Sequence, residues 1–451
     1  MEITENIQAA DLKQLIETKQ ITKLRELFED HNVVDMSELV GELEPQEALF
    51  LFKTLKKDQT SEIFAYLPHD KQETLIQLFT GPQIQEMLDA LYDDDILEFI
   101  EDLPANIVKH VLQSASPKQR VELNRLLSYE ENSAGSIMST NYVVLKEKDT
   151  VADALMKIRE QGKEAETINY CYITDNRKVL RGVITMRNIV LSSLNEEISE
   201  LMDSDLVMVK TDDDQEDVAK LFEKYDLTVI PVVNNDSCLV GIVTVDDIID
   251  VIHEEATEDI HKMNAIAPID KTYLETGVLE MAKSRIVWLL ILMISATFTG
   301  YIMSGYEEVL AANVTLSIFI PMLMDAAGNA GNQASTMVIR ALATGELSAK
   351  DMLKIWWKEI RIAAICGTIM GIVNFLRILL FMGETDITIS LVVSATVFIT
   401  VALAKMVGCT LPVVAEKLHL DPAVMAGPLI TTLVDAMSLM VYFQLTVHFV
   451  L

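Results

Sequence analysis

Residues 325–333, DAAGNAGNQ, place an Asp, two Asn, two Gly and a Gln inside the apolar run 313–342. No other stretch restricts the fold as much. The run is long enough to cross a bilayer, and lipid offers no hydrogen bonds. Asp325, Asn329, Asn332 and Gln333 must therefore face protein or a water-filled path. Gly328 and Gly331 lack a Cβ, which lets the backbone approach another chain closely and makes its carbonyls available as ligands. Glycines alone would mean tight helix packing; joined to these polar side chains they point to a conduction path.

Four more apolar segments accompany it, near 286–303, 362–382, 387–411 and 424–450, each close to the ~20 residues that span a membrane. Lys283 and Arg285, then Lys350, Lys354, Lys358 and Arg361, then Lys417 fall on one side, and the loops with Glu307 and Glu384 carry no bases. The positive-inside rule thus predicts a multi-pass plasma-membrane protein with a cytoplasmic N-terminus and Leu451 outside. Arg377, near the outer end of its segment, can snorkel, and Gly367 with Gly371 forms a small-residue packing face.

Charge divides the chain unequally. From Arg285 onward there are 11 acids and 9 bases, which leaves 57 acids and 27 bases ahead of it, a surplus of 30 negative charges. An acidic soluble part precedes a nearly neutral membrane part. This speaks against nucleic acid as a partner and for the attraction of cations. The four cysteines, Cys171, Cys238, Cys366 and Cys409, show no ligand spacing, and the acidic N-terminus has no apolar signal core, so a cytosolic leading part is expected.

Residues 1–130 read as short amphipathic helices in an all-α domain with a degenerate repeat: EIFAYLPHDKQETLIQLF returns as EFIEDLPANIVKHVLQSA, each Pro suiting the start of a helix. The acidic turn Asp93, Asp94, Asp95 lies between the two copies, and Asp95 is kept as a candidate divalent-cation ligand beside its plainer reading as a solvated helix start.

Residues 137–255 hold a second repeat, of mixed type, divided as 137–199 and 200–255. IMSTNYVVLKEKDTVADALMKI answers LMDSDLVMVKTDDDQEDVAKLF, and CYITDNRKVLRGVITMRNIV answers IPVVNNDSCLVGIVTVDDII. Each half predicts a strand, a helix, two strands around a Gly turn (Gly182, Gly241) and a helix capped by Thr185 or Thr244. The pattern resembles a tandem CBS domain pair, an α+β module. That family's Thr-x-x-Asp ribose contact stands here as Thr244 and Asp247 in the second half, but as Thr185 and Asn188 in the first. ATP is the ligand this implies, with Tyr170, Arg187 and Asn188 as candidate contacts.

An acidic helix is expected over 256–284, connecting the repeats to the membrane. Asp247, Asp250, Glu254 and Glu258 recur at steps of three or four and share one helix face, with Glu255 and Asp259 beside it. Like charges so placed repel by a few tenths of a kcal/mol per pair. A divalent cation would steady them, and oxygen-only ligands suit Mg²⁺ or Ca²⁺.

The last apolar segment carries Asp435 with no base near it in sequence, so it needs a cation, a proton or a partner helix. Gly427 and Pro428 loosen the helix before it, and Thr431 and Thr432 offer oxygens. Taken with PMLMDAAGNAGNQ, RALATGE, the CBS-like pair and the acidic connection, the chain resembles the MgtE magnesium channel family over nearly its whole length. The resemblance implies three cytosolic parts ahead of a five-helix membrane domain over 285–451, a homodimer, and a pore between the second and fifth helices. It implies that Asp435 holds hydrated Mg²⁺, with Gly328, Asn329, Asn332, Gln333 and Thr431 lining the pore. It also implies that Asp214, Glu216, Asp226, Asp247, Asp250, Glu255, Glu258 and Asp259 belong to regulatory sites through which cytosolic Mg²⁺ closes a Mg²⁺-selective channel. A secondary divalent-cation exchanger would share the intramembrane Asp. An intramembrane enzyme with a CBS module is a remote alternative, because the nearest approach to HExxH, residues 253–257, ends in Thr257, and no enzyme activity is expected.

Overall fold

The amphipathic repeats at the start of the chain form ten short helices among the described residues, from Ala9–Glu17 to Pro117–Leu126. Their inward faces pack one continuous core in which Phe64 stands edge-on to both Phe52 and Phe99. Pro68 and Pro104 sit at the N-caps of His69–Leu78 and Ala105–Ser114, where a missing N–H costs no helical bond. The structure, a computed structural model, describes residues 9–101, 103–269, 273–274, 276–382, 386–425 and 427–450. It separates into two units, Met1–Ile252 and His253–Leu451, each taken by itself below.

Two three-stranded sheets follow the helical part. In the first, Val143–Leu145 runs parallel to Tyr170–Thr174, which pairs antiparallel with Leu180–Thr185; in the second, Val209–Lys210, Val229–Val233 and Leu239–Thr244 repeat the arrangement. The repeats also exchange bridges, Ser139 with Ile242 and Asp203 with Val183. Gly182 and Gly241 lie within strands rather than turns, because the incoming segment of each exchange passes over them. A Cβ would meet Met202 Sδ at 2.8 Å or Met138 Sδ at 2.5 Å.

The connecting helix runs over Val245–Met263, earlier and shorter than the 256–284 expected. Ala265 adopts a left-handed conformation (φ 55°) and Pro268 follows, so helical geometry cannot continue. Residues 278–284 belong instead to the first membrane helix, Val278–Gly305.

Five helical spans are long and apolar enough to cross a membrane: Val278–Gly305, Val314–Ala343, Ala349–Phe381, Ile387–Lys417 and Pro422–Phe449. They make this a multi-pass membrane protein. The second, fourth and fifth enclose a core of Leu323, Ala327, Val401, Ile430 and Val434. Gly331 and Gly408 let the second and fourth helices touch backbone to backbone, since a Cβ on Gly408 would lie 2.2 Å from the Gly331 carbonyl oxygen. Gly367 and Gly371 admit Phe398 and the Ser394 carbonyl in the same way.

Candidate cation path and carboxylate cluster

The second membrane helix, Ile320–Ala343, separates its residues by face. Ala327, Gly328, Ala330, Gly331, Ala334 and Ser335 are buried against neighbouring helices, whereas Asp325, Asn329, Gln333 and Thr336 are exposed on the opposite stripe. Asn329 Nδ2 donates to Asp325 Oδ1 at 3.1 Å, one turn away. Toward the fifth helix, Asn332 Nδ2 donates to Thr431 Oγ1 at 3.4 Å, and the small Gly328 faces Thr431 and Asp435. Asp435 Oδ1, Asn332 Oδ1 and Ser335 Oγ are shut off from solvent and have no hydrogen-bond partner among the described residues. Unpaired oxygens at membrane depth are costly unless something positive or protic meets them. One carboxylate with neutral oxygens around it is a donor set that suits a hard cation keeping part of its water.

A second cluster lies in the N-terminal unit. The helix Asp93–Glu101 begins with three acids. The 139–141 segment ties its start to the loop before Tyr170. Thr140 Oγ1 donates to Asp93 Oδ2, Asp93 N donates to Asn141 Oδ1 at 3.4 Å, and Glu166 N donates to the Asn141 carbonyl at 2.9 Å. These bonds bring carboxylate oxygens of Asp94, Glu166 and Asp247 within 4.8 Å of one another. Among the described residues, Asp94 Oδ1 and Glu166 Oε2 lack hydrogen-bond partners and are cut off from solvent. Thr244 Oγ1 donates to Asp247 Oδ2 at 2.6 Å and fixes that carboxylate at the start of the connecting helix.

Burial, and then repulsion from neighbouring acids, raises all three above the ordinary carboxylate range. Asp247 is pushed up to about 7 by burial, with Glu166 and Asp246 adding to it against the Thr244 hydrogen bond. Burial likewise raises Asp94, with help from Glu166 and Asp247, and Glu166 despite hydrogen bonds from Ser139 and Thr244. Three oxygen donors of this kind fit Mg²⁺ or Ca²⁺ and are unsuited to soft metals.

Of the acids expected from the sequence, the structure brings only Asp247 into this trio. Asp95 lies beside it, half-buried and raised by its own burial, while its neighbour Asp94 takes the place assigned to it. Asp214 caps the helix Gln215–Tyr225 by accepting from Glu216 N at 2.8 Å, Glu216 pairs with Lys220 at 3.1 Å, and Asp226 ends the helix in a left-handed conformation. Asp250, Glu255 and Asp259 lie on the connecting helix, Asp250 exposed and the other two half-buried. Glu258 is paired with Lys262 at 2.7 Å, and the same ammonium reaches Asp421 at 2.7 Å. Tyr170 pairs with Thr185 across the first sheet, and Arg187 and Asn188 are exposed on the helix that follows, with Asn188 N donating to Thr185 Oγ1 at 3.2 Å. Glu166 escaped the sequence reading because its partners stand far away in the chain. Lys405 and Glu359, a buried pair 3.8 Å apart, escaped because each lies singly in an apolar segment.

A magnesium transporter MgtE from Thermus thermophilus is 33% identical over 437 residues, covering 96% of this chain and 96% of that one. The chain belongs to the MgtE family. The family's membrane model, described as a divalent cation transporter, matches residues 320–445, its intracellular N domain matches 31–132, and CBS domains match 134–195 and 198–254. The Bacillus subtilis magnesium transporter MgtE is 32% identical over 440 residues, 94% of this chain and 96% of its own. A solved cytosolic domain of the Mg²⁺ channel MgtE in complex with ATP aligns at a TM-score of 0.51 and 32% identity, covering 54% of this chain and 99% of that structure. The second-helix stripe falls inside the stretch matched by the divalent cation transporter model, and the trio draws Asp94 from the MgtE N domain and Glu166 and Asp247 from the two CBS domains.

Proposed function

We propose that this MgtE-family chain conducts Mg²⁺ along its second and fifth membrane helices, and that Mg²⁺ held by the carboxylate trio closes the path. The observation that carries the reading is the set of partnerless oxygens at membrane depth, Asp435 Oδ1, Asn332 Oδ1 and Ser335 Oγ, next to an exposed polar stripe. A stripe bearing Asp325, Asn329, Gln333 and Thr336 cannot face lipid. A second copy of the chain, related by a two-fold axis, would enclose it in water and present two Asp435 carboxylates to one ion. Mg²⁺ dehydrates reluctantly, so a path lined by carbonyl-type oxygens and few charges passes it hydrated. The relatives named as magnesium transporters support the ion.

Closure follows from the trio's charge. Empty, its three carboxylates repel and hold a proton between them. Bound to Mg²⁺, they draw the Asp93–Glu101 helix, the 164–166 loop and the start of the connecting helix together. A ligand shifts such an equilibrium only by its preference for one state, so the closed form must hold Mg²⁺ more tightly. Asp95, Asp214, Glu216, Asp226, Asp250, Glu255, Glu258 and Asp259 supply further acidic contacts to the same response. ATP is a regulatory ligand at Tyr170, Arg187 and Asn188, a reading supported by the relative solved with it. The N-terminal unit then lies in the cytoplasm and residue 450 near the outer face.

Single-channel recording in a bilayer, with Mg²⁺ varied on one face, tests both halves. Unitary Mg²⁺ currents that fall steeply as Mg²⁺ rises on the side of the N-terminal unit are expected. Slow, saturating flux that needs a counter-ion would overturn the channel in favour of an exchanger.

A further inference from the structure

Lys405 and Glu359 are the most deeply buried ion pair among the described residues, 5% and 8% exposed, on the fourth and third membrane helices. Their closest approach, 3.8 Å from Nζ to Oε2, is too long for a hydrogen bond, and Glu359 Oε2 has no other partner among the described residues. The two charges therefore stabilise one another through space alone, in surroundings where each would otherwise be expensive. The pair is also oriented. Lys405 lines a cavity of about 620 Å³ together with Asp325, Asn329 and Gln333, whereas Glu359 lies outside that lining; Arg377 also lines the cavity, where it donates to Asn374 Oδ1 at 3.0 Å. The cavity thus opens onto the stripe assigned above to the ion's path, with the pair's positive end toward it.

We infer that Lys405 is a specificity-determining residue of the transport path: a fixed cation that weakens how tightly the stripe holds Mg²⁺ and keeps Glu359 from becoming a cation site. Conduction needs binding strong enough to admit an ion and weak enough to release it. Asp325 and Asp435 supply the attraction, and Lys405 limits it. This inference rests on the proposed path along the second helix. Replacing Lys405 by a neutral side chain would leave a buried carboxylate whose field reaches the cavity, and the arriving cation would take over the lysine's role.

The test is Mg²⁺ current against Mg²⁺ concentration in the full-length protein, with sodium permeability measured alongside. Lys405→Gln is expected to lower the half-saturating Mg²⁺ concentration roughly three- to tenfold, a span of about 0.7 to 1.4 kcal/mol, with a smaller maximal current and raised sodium permeability. Glu359→Gln, which strips the lysine of its counter-charge, moves half-saturation the opposite way. Lys405→Arg retains the charge and stays near the parent protein. The double variant Lys405→Gln, Glu359→Gln returns toward parental half-saturation. It carries no buried charge, so it also keeps the test alive if Lys405→Gln alone does not fold. Half-saturation and sodium permeability unchanged in Lys405→Gln and in Glu359→Gln would overturn the inference and leave the pair a structural one. A double variant that departs from the parent as far as either single variant would also overturn it. Asp435→Ala distinguishes this failure from that of the path itself: full Mg²⁺ current through Asp435→Ala removes the path, whereas lost current there with unaltered Lys405 variants removes only the role of Lys405.

Discussion

The two oxygen-rich clusters of this chain are built on opposite plans. The trio in the N-terminal unit gathers three carboxylates, Asp94, Glu166 and Asp247, from segments far apart in sequence, and raises all three above the usual carboxylate range. The intramembrane cluster has one carboxylate near the helix contact, Asp435, among Asn332, Ser335 and Thr431. On the proposed reading, three charges in one place hold a divalent cation and couple its binding to how closely the three segments pack. One charge among neutral oxygens binds weakly and, on a helix, keeps its place whether or not an ion is present. The first plan suits sensing and the second suits passage.

The largest effect should come from the site with the least redundancy. Asp435→Ala is expected to cut Mg²⁺ flux roughly a hundredfold or more, equivalent to about 3 kcal/mol of lost ion stabilisation, with Asp435→Asn nearly as severe. Thr431→Val, which removes a neutral oxygen, should cost about tenfold or less. Uptake into proteoliposomes followed with a Mg²⁺ dye measures all three. Equal losses for the aspartate and the threonine would erase the distinction between charged and neutral donors.

In the trio the charge is shared, so single substitutions should be milder. Asp94→Asn, Glu166→Gln and Asp247→Asn are each expected to raise the Mg²⁺ concentration that half-closes the path by about tenfold, leaving the open current intact. Patch recording across a Mg²⁺ series reads this directly. Closure at lower Mg²⁺ in all three would mean that relief of repulsion outweighs loss of ligands, and the trio would be a strut and not a sensor.

The contrast also explains what could be read without coordinates. Asp435 was visible because an acid in an apolar run is conspicuous and its helix is local; the same holds for the DAAGNAGNQ stripe. The repeats gave away both sheets, since alternating apolar strands with matching helices recur in register. Asp94 could not be told from Asp95, because choosing between adjacent acids depends on the Thr140 and Asn141 bonds that set the helix start. Glu166 carried no signal, as its role exists only once Asn141 and Thr244 are folded beside it. Gly182 and Gly241 were recognised as special for the wrong reason: the demand comes from Met202 and Met138 of crossing segments, which no local pattern reports.

Acidity offers a gentler handle on the trio. In the metal-free protein Asp247 keeps its proton up to about pH 7, whereas the unfolded chain releases it near the ordinary aspartate value of 3.8. The folded state therefore binds more protons across that window, and its stability falls as pH rises through it and levels off above 7. Shared protonation and partial solvation reduce the effect to something on the order of 1 kcal/mol. The protection of amides 93–101 against hydrogen exchange, taken relative to the intrinsic exchange rate at each pH, should thus fall between pH 5 and pH 8 without Mg²⁺, and saturating Mg²⁺ should flatten the trend, since the ion replaces the proton. A metal-free trend that survives unchanged in Asp247→Asn would assign the dependence to other groups.

The smallest expected effect concerns a cation the chain supplies itself. Lys262 sits 2.7 Å from both Glu258 and Asp421, joining the last turn of the connecting helix to the segment ahead of the fifth membrane helix. Burial alone would lower the pKa of its ammonium, yet the hydrogen bonds it donates to Asp421 and Glu258 hold it above its ordinary value. The joint is reinforced where Met263 packs against Ile339 and Ala423, and where Gly427, at φ 49°, leaves room for the Met263 carbonyl that a Cβ would meet at 2.3 Å. Asp421 meanwhile accepts from Ala423 N at 2.7 Å, so it is positioned whether or not the lysine is there. Unlike the trio, this contact needs no metal, and its groups are partly solvated, which limits the pair to about 1 kcal/mol or less. Lys262→Met should leave Glu258 and Asp421 as an acidic pair whose repulsion loosens the joint at low Mg²⁺ and which Mg²⁺ then bridges. Half-closure is expected to move by only about two- to threefold, with a steeper dependence on Mg²⁺. Asp421→Asn in the same background should abolish the added steepness. If Lys262→Met left both midpoint and slope untouched, the salt bridge would be incidental and the Met263 and Gly427 contacts alone would carry the coupling.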